Sequence, residues 1–221
     1  MKYLLTISVI ILLLGYNVKA QFLQDSLYSK EDFPKKNILK TNPFAIFQGS
    51  IPGAAEYRLG LEHVMGDKYS IQISGSYLGK GCAYTLIEAM DTTPIQYIVK
   101  GFRVQAEIRY YLNNAFSKRK APKGFYFAPT YSYSHAKITD RFYNSKNAYI
   151  SYTFTYYGGK LGFQMVSNNL AFDIFIGAGY RDNIVVDYLT SKPQQVDEKD
   201  YSIYTGHLKI LFGLNFGYAF D

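Results

Sequence analysis

The sequence of 221 residues has no tryptophan, a single cysteine and only three histidines. The one cysteine, Cys82, cannot form an intramolecular disulfide, so stability has to come from backbone hydrogen bonding and packing. Apart from an apolar run that begins at residue 3, no stretch approaches the roughly 20 apolar residues of a helical membrane span. Together with a mean hydropathy of -0.12, this argues against a polytopic helical membrane protein.

A sustained 3.6-residue period is also missing, which predicts that α-helices are nearly absent. Aromatic residues are abundant instead, since 23 tyrosines and 16 phenylalanines make up 18% of the chain. Such a chain has ample apolar surface to bury, and this argues against intrinsic disorder.

The first 20 residues have the layout of a secretory signal peptide. Met1 and Lys2 precede an apolar run over residues 3–14, and the small residue Ala20 ends the segment. The alternative, an N-terminal membrane anchor, is disfavoured because the run is shorter than a bilayer requires. We therefore expect residues 1–20 to be a signal peptide, residues 21–36 a periplasmic leader and residues 37–221 the folded domain.

The formal net charge of the chain is +7. Export makes nucleic acid a poor partner for this basic protein. The positive charge is expected to interact with anionic lipid head groups instead, so we expect membrane lipid as a partner and no nucleic acid.

After residue 37 the chain alternates apolar and polar residues with a period of two, which predicts β-strands. Each strand then has one apolar face and one small or charged face, because successive side chains point to opposite faces. Eight strands are predicted, at residues 38–49, 53–65, 68–79, 98–112, 124–137, 148–166, 170–182 and 205–220. For the first and sixth strands, the sequence leaves open which alternate residues face inward. Gly158 and Gly159 predict a bulge in the sixth strand, and Pro129 predicts one in the fifth.

The connections between these strands also follow a pattern. Those after strands two, four and six are mostly short, and those after strands three, five and seven are long. Aromatic residues collect toward both ends of the strands, as they do at two membrane interfaces. The sequence therefore predicts an all-β fold, an eight-stranded antiparallel transmembrane β-barrel at residues 37–221 in the cell outer membrane. A soluble secreted sandwich or lipocalin-like barrel, with the apolar face turned inward, is the alternative.

Short motifs also carry a family resemblance. They are Asn-Pro-Phe at residues 42–44, Glu-Ile-Arg-Tyr-Tyr at 107–111, Gly-Phe-Tyr at 124–126 and Gly-Tyr-Ala-Phe at 217–220. Through them the chain resembles the small outer-membrane β-barrel proteins of Gram-negative bacteria, OmpA/OmpX-like in architecture, and among these an uncharacterised family. The resemblance spans most of residues 37–220 and implies the same fold and location. Asp221 departs from the terminal aromatic residue that usually ends such barrels.

The polar faces of the strands predict an ion network in the barrel interior. An eight-stranded barrel is just wide enough for its own side chains, so these charges are expected to pair and to fill the lumen. The predicted network has four acids and four bases: Glu56, Arg58, Glu62, Arg103, Glu107, Arg109, Asp173 and Lys209. A narrow channel is the alternative.

No catalytic, cofactor or metal site is predicted. The three histidines fall on strands two, five and eight, with His63 at the short-turn end and His135 and His207 near the loop end, so they do not make one metal site. An outer-membrane lipid-modifying hydrolase is the weakest alternative, carried by Ser132, Ser134, His135 and Asp140. Adjacent Ser134 and His135 are expected on opposite faces of the strand. They would then not be within the hydrogen-bond distance that a nucleophile and its base require.

The leading functional hypothesis is a non-enzymatic barrel with a structural or surface-interaction role. Loops on a rigid scaffold commonly carry recognition, so the expected contact regions are residues 79–97 and 183–204. Their tyrosines are candidate contacts to an unidentified extracellular ligand or surface. These tyrosines are Tyr84, Tyr97, Tyr188, Tyr201 and Tyr204.

Overall fold

The computed structural model describes residues 35–47, 51, 53–90, 96–112, 120–140, 149–188, 194–195 and 207–221. The predicted signal peptide, and the predicted leader up to residue 34, lie outside the described residues. The strands are β1 (Asn37–Thr41), β2 (Ala54–Val64), β3 (Tyr69–Lys80), β4 (Tyr97–Tyr111), β5 (Gly124–Asp140), β6 (Ile150–Ser167), β7 (Leu170–Asp187), β8 (Gln194–Gln195) and β9 (Leu208–Phe220). A 3-10 helix covers Pro43–Ile46, and an α-helix, α1, covers Cys82–Met90.

Eight of these strands form a closed antiparallel ring. From β1 to β7 each strand pairs with the one that follows it, β7 then pairs with β9, and β9 pairs with β1. The two-residue β8 only extends β7 at Val186 and Asp187. The predicted eight-stranded antiparallel β-barrel is therefore confirmed.

The barrel is polar inside and apolar outside. In β4, Arg103, Glu107 and Arg109 are buried, whereas Val104 and Ile108 between them are about half exposed. This follows from the period of two in the sequence, since closing the sheet turns one pleat face of every strand inward. Outward apolar side chains include Leu59, Leu61, Ile73, Leu161, Ile174, Ile176, Ile210 and Phe212.

Two predicted bulges are wrong. β6 keeps one register past Gly158 and Gly159 on both sides, so its even-numbered residues face inward throughout. At Pro129, pairing with β4 is interrupted between Thr130 and Phe127, yet the register is the same on either side. The missing backbone N–H of the proline therefore costs ladder contacts without inserting an extra residue.

The first strand is shorter than predicted, because it ends at Thr41 rather than at residue 49. The side-chain oxygen of Asn42 accepts a hydrogen bond from the backbone N–H of Ala45 at 3.1 Å, and Pro43 occupies the first helical position. Both are features that begin a helix and end a strand. The predicted loop at residues 79–97 likewise contains α1.

Hydrophobic clusters lie inside both ends of the barrel. At the loop end, ten buried residues from six strands, α1 and residue 51 form one cluster: Ile51, Ala54, Leu78, Tyr84, Val99, Ala136, Ile138, Tyr152, Phe154 and Val185. At the short-turn end the clusters include Val64, Tyr111, Ala121, Tyr126, Phe175, Ile38 and Ala219. The polar layer lies between these ends. Neither helix in the described part of the chain has the length and apolar character of a membrane span.

Candidate functional site

The structure places all eight residues of the predicted interior network on inward strand faces. Glu56, Glu62, Arg109 and Asp173 are fully buried. Lys209 lies on the inward face of β9, as Asn215 does, because both are odd-numbered residues of that strand. The network is therefore built from β2, β4, β7 and β9 together.

Arg109 is surrounded by three carboxylates. Its Nη1 lies 3.0 Å from Asp173 Oδ2 and 3.6 Å from Glu62 Oε2, and its Nη2 lies 3.1 Å from Glu107 Oε2. The guanidinium carbon sits 4.4 Å from the centre of the Tyr126 ring. A delocalised cation with several donors suits such a site, because it can bond several acceptors at once.

A second group of charges lies nearer the loop end. Glu56 accepts from Arg58 Nη2 at 2.6 Å and from Arg103 Nη1 at 3.1 Å, and the Ser76 hydroxyl donates to it at 2.8 Å. Arg103 Nη2 also donates to Ser132 Oγ at 3.0 Å. Glu56 is thus held by two guanidinium groups on different strands.

Sequence reasoning missed three interior cations, Lys40, Lys160 and Arg181, which are all buried. Lys40 bridges Glu62 and Asp173, and Lys160 Nζ lies 2.5 Å from Glu107 Oε1. The first two were missed because the parity of the first and sixth strands was open. Arg181 is an odd-numbered residue of β7 like Asp173, so the alternation with a period of two predicts that both face inward. Arg181 could therefore have been found from the sequence.

These three cations add to the four acids and four bases of the predicted network. Among the described side chains, seven cations share the polar layer with four carboxylates. The cations are Lys40, Arg58, Arg103, Arg109, Lys160, Arg181 and Lys209, and the carboxylates are Glu56, Glu62, Glu107 and Asp173. Among the described side chains, cations therefore outnumber carboxylates in the polar layer.

Neutral side chains complete the hydrogen bonding of the carboxylates. The Tyr111 hydroxyl donates to Glu62 at 2.7 Å, and the Tyr126 hydroxyl and the Asn215 amide each donate to Asp173 at 2.8 Å. Buried polar groups need such partners because an unmatched one carries its full desolvation cost. The layer is thus a connected network rather than a set of isolated ion pairs.

The histidines and the candidate hydrolase residues lie apart. His63 Nδ1 pairs with Asn37 Oδ1 at 2.8 Å, and His207 stacks on Tyr180 with ring centres 5.0 Å apart. Ser132 and Ser134 are buried on the inward face, whereas His135 lies on the other face beside Thr153. The side chain of Asp140 lies outside the described residues. Within the described part of the chain, no group of three or more histidine, cysteine or acidic residues is placed to hold a metal ion.

At the loop end, α1 makes contacts with the barrel, and the predicted contact tyrosines that the structure describes pack against other residues. Glu88 of α1 bonds with Lys80 of β3 and accepts the backbone N–H of Tyr97 at 2.6 Å. Hydrogen bonding from Lys80 lowers the pKa of Glu88 below its ordinary value. Tyr84, predicted as a surface contact, is instead buried, and its ring centre lies 5.3 Å from that of Tyr97. Of the other tyrosines, Tyr188 stacks on Tyr149 at 4.4 Å, and Tyr201 and Tyr204 lie outside the described residues.

Comparison with known proteins gives one match. No curated protein and no solved structure matches the chain significantly. A family model described as "Protein of unknown function (DUF3575)" matches residues 37–220, which is the span from the first residue of β1 to the last residue of β9. The chain thus belongs to the DUF3575 family, and the family model and the closed barrel cover the same residues.

Proposed function

We propose that this protein is an integral β-barrel of the bacterial outer membrane, similar in architecture to the OmpA/OmpX-type barrels, with a structural or surface-interaction role. The observation that carries the proposal is the inverted distribution of polarity. Large apolar side chains such as Leu59, Ile73 and Ile176 are more than half exposed around the barrel, while charged residues are buried. Soluble monomers rarely expose apolar patches above a few hundred Å², whereas a lipid-facing barrel requires an apolar band.

Exposed aromatic residues support the same proposal. On β3, Tyr69 and Tyr77 are both about half exposed and flank Ile73 on the same face. Residues 69–77 make nine strand positions, which falls within the roughly 9–11 residues that a tilted strand needs to cross a bilayer. Tyr69 packs on Tyr110 and Tyr77 on Tyr57, with ring centres 5.2 and 6.4 Å apart, so each level continues onto a neighbouring strand.

The filled interior favours a structural or surface role over a channel. Buried ion pairs occupy the polar layer, and hydrophobic clusters occupy both ends. The extracellular partner would then be met at the loop end, through residues 79–97 and 183–204. Tyr84 of α1 is buried, so among the described residues the surface that α1 offers there is its exposed side with Leu86 and Met90.

Membrane integration is tested by electrophoresis of the full chain purified in detergent. We expect an unboiled sample to migrate faster than a boiled one, because a closed barrel stays folded in detergent at room temperature. A denatured control sample should show only the slow band. Purification of a folded monomer that remains soluble in water without detergent would contradict the proposal.

Conductance separates the surface role from the channel. We expect the folded protein to give no steady current in a planar bilayer, because hydrophobic clusters close both ends of the narrow lumen and ion pairs lie between them. Each preparation should first show the fast-migrating band, so that silence is not caused by misfolding. A reproducible open-state current from such a preparation would favour the channel.

A further inference from the structure

Two lysines lie directly opposite each other on the outer surface of the barrel. Lys100 of β4 and Lys137 of β5 are paired positions of the antiparallel ladder, and both side chains are exposed. Side chains in such a pair have Cβ atoms about 4.5–5.5 Å apart. Among the registers of the described strands, this is the only position that sets two charged residues opposite each other. We call these two residues the lysine pair.

The lysine pair places two positive charges side by side. Neither residue forms an ion pair in the part of the chain that the structure describes. Lys137 Nζ lies 4.6 Å from the centre of the Tyr149 ring, which holds this ammonium group at the loop end. Like charges directly opposite in a ladder destabilise the strand pair. An anion bound between the two ammonium groups would remove this repulsion.

The lysine pair lies just beyond the aromatic level at the loop end. Tyr77 of β3, which marks that level, pairs with Phe102 of β4. Lys100 is two residues nearer the loop end than Phe102, a distance of about 7 Å along an extended strand. Head groups occupy about 5 to 8 Å on each side of the hydrocarbon core of a bilayer. In the proposed membrane location, both ammonium groups therefore lie at the depth of the lipid head groups.

An apolar surface continues from the lysine pair toward the short-turn end of the same two strands. Phe102, Val104 and Tyr133 face outward and are exposed. The ring centres of Phe102 and Tyr133 lie 6.1 Å apart. Ile108 and Tyr131, also exposed, extend this surface further. Two cations above an apolar surface match the polarity of a lipid whose anionic head group points toward the loop end.

The corresponding surface of β6 and β7 has the opposite charge. There the aromatic level is formed by Tyr157 and Tyr180, which are paired positions. Two residues nearer the loop end, Thr155 is paired with Asp182, whose side chain is exposed. An anionic head group would be repelled at that position, so the lysine pair distinguishes the surface of β4 and β5 from that of β6 and β7.

A phosphate monoester is the anionic head group that suits two ammonium groups. It carries about 1.5 to 2 negative charges at pH 7 and has three strong acceptor oxygens. Each lysine ammonium group supplies three donors. A phosphodiester carries only one negative charge and would leave one of the two lysines without a counter-charge.

We propose that the outward surface of β4 and β5 binds a membrane lipid with a phosphate monoester head group. The phosphate lies between Lys100 and Lys137, and an acyl chain lies along Phe102, Val104 and Tyr133. This inference rests on the proposed membrane location, because only a barrel in a bilayer presents this surface to lipid. It deepens that proposal, since it assigns a lipid class and a binding site to named residues.

The test uses the full chain folded in detergent, with native mass spectrometry as the measurement. The added probes are phosphatidic acid, phosphatidylglycerol, phosphatidylcholine and inorganic phosphate. We expect one phosphatidic acid to bind each barrel at least tenfold more tightly than phosphatidylcholine or inorganic phosphate. It should bind about fivefold more tightly than phosphatidylglycerol, whose head group is a phosphodiester.

Substitutions locate the site. Lys100→Gln and Lys137→Gln should each weaken phosphatidic acid binding about fivefold, which corresponds to the roughly 1 kcal/mol that one lysine contributes near an anionic surface. Lys120→Gln serves as the matched control at the short-turn end, where the Lys120 ammonium lies 3.4 Å from Asp67. This control should bind phosphatidic acid as the unchanged protein does.

The contrary results each overturn a defined part of the inference. Equal binding of phosphatidylglycerol would refute the monoester, equal binding of phosphatidylcholine the role of charge, and equal binding of inorganic phosphate the lipid as source. Full affinity in either lysine-pair variant, or an equal loss in the control, would refute the site. Every sample is first checked for the fast-migrating band, so a folded barrel that binds no lipid refutes only this inference. A water-soluble monomer refutes the membrane proposal itself.

Discussion

Replacing Arg109 with methionine is expected to lower the free energy of unfolding by about 3 to 5 kcal/mol, because it leaves buried carboxylates without their shared cation. Arg109 is fully buried and lies within 3.6 Å of oxygens of Glu62, Glu107 and Asp173. Methionine keeps an unbranched apolar chain, so the loss of charge dominates over the loss of packing.

The measurement is urea unfolding of the protein folded in lipid vesicles, followed by far-ultraviolet circular dichroism, since the chain has no tryptophan for fluorescence. Lys120→Ala is the control, because its pair with Asp67 at 3.4 Å is exposed, with 56% and 65% of the two side chains accessible. An exposed pair of this kind contributes about 0 to 1 kcal/mol. An Arg109→Met effect no larger than that of Lys120→Ala would contradict the structural role of the network.

Adding Asp173→Asn to Arg109→Met should recover part of the loss. The second change removes one of the negative charges that the first change leaves without a cation. Residues within one network couple by about 0.5 to 3 kcal/mol. The double variant should therefore lose less unfolding free energy than the two single variants lose when their losses are added.

Replacing Ile73 with lysine is expected to destabilise the barrel in a bilayer by about 2 to 4 kcal/mol, because a charge at the midplane faces hydrocarbon. Ile73 lies midway between Tyr69 and Tyr77 on the outward face of β3 and is 56% exposed. In a water-soluble barrel the same side chain would already face water. Such a surface change would then alter stability by no more than about 0.5 kcal/mol.

Tyr69→Lys is the matched control on the same strand and face. A lysine near the membrane interface costs only about 0 to 1 kcal/mol, so the two variants should differ in folding free energy in vesicles. This depth dependence is the result that a soluble barrel cannot reproduce. Equal and small effects of the two changes would contradict the membrane proposal.

Much of the fold was predictable because the barrel repeats one simple rule, alternation with a period of two. β4 shows it most clearly: Arg103, Glu107 and Arg109 alternate with Val104 and Ile108, and both faces of the strand follow from the sequence. The eight predicted interior residues came from this rule. Where apolar residues also occupied inward positions, as Phe154 and Tyr156 do in β6, the rule left parity open and Lys160 was missed.

The features that the sequence did not predict depend on contacts between distant strands. α1 is short, and its stability comes from packing Tyr84 against residues such as Val99 and Val185 rather than from a long helical period. Lys160 of β6 and Arg181 of β7 line the same interior cavity as Arg103 of β4, and this grouping depends on closure of the barrel. Asn42 and Pro43 did carry a local helix-start signal, but the apolar run at residues 44–47 was assigned to the first predicted strand instead.

The position of Lys40 on β1 has a consequence for the order of assembly. Lys40 contacts Glu62 of β2 on one side, and Gln164 of β6 and Asp173 of β7, which are paired neighbours, on the other. β1 also pairs with β9, the last of the described strands, so ring closure joins strands from nearly the two ends of the described chain. Contacts of such large sequence separation form slowly. Until β1 and β9 meet, the interior charges remain hydrated, and closure, loss of water and capture of the Lys40 ammonium should then occur as one cooperative step.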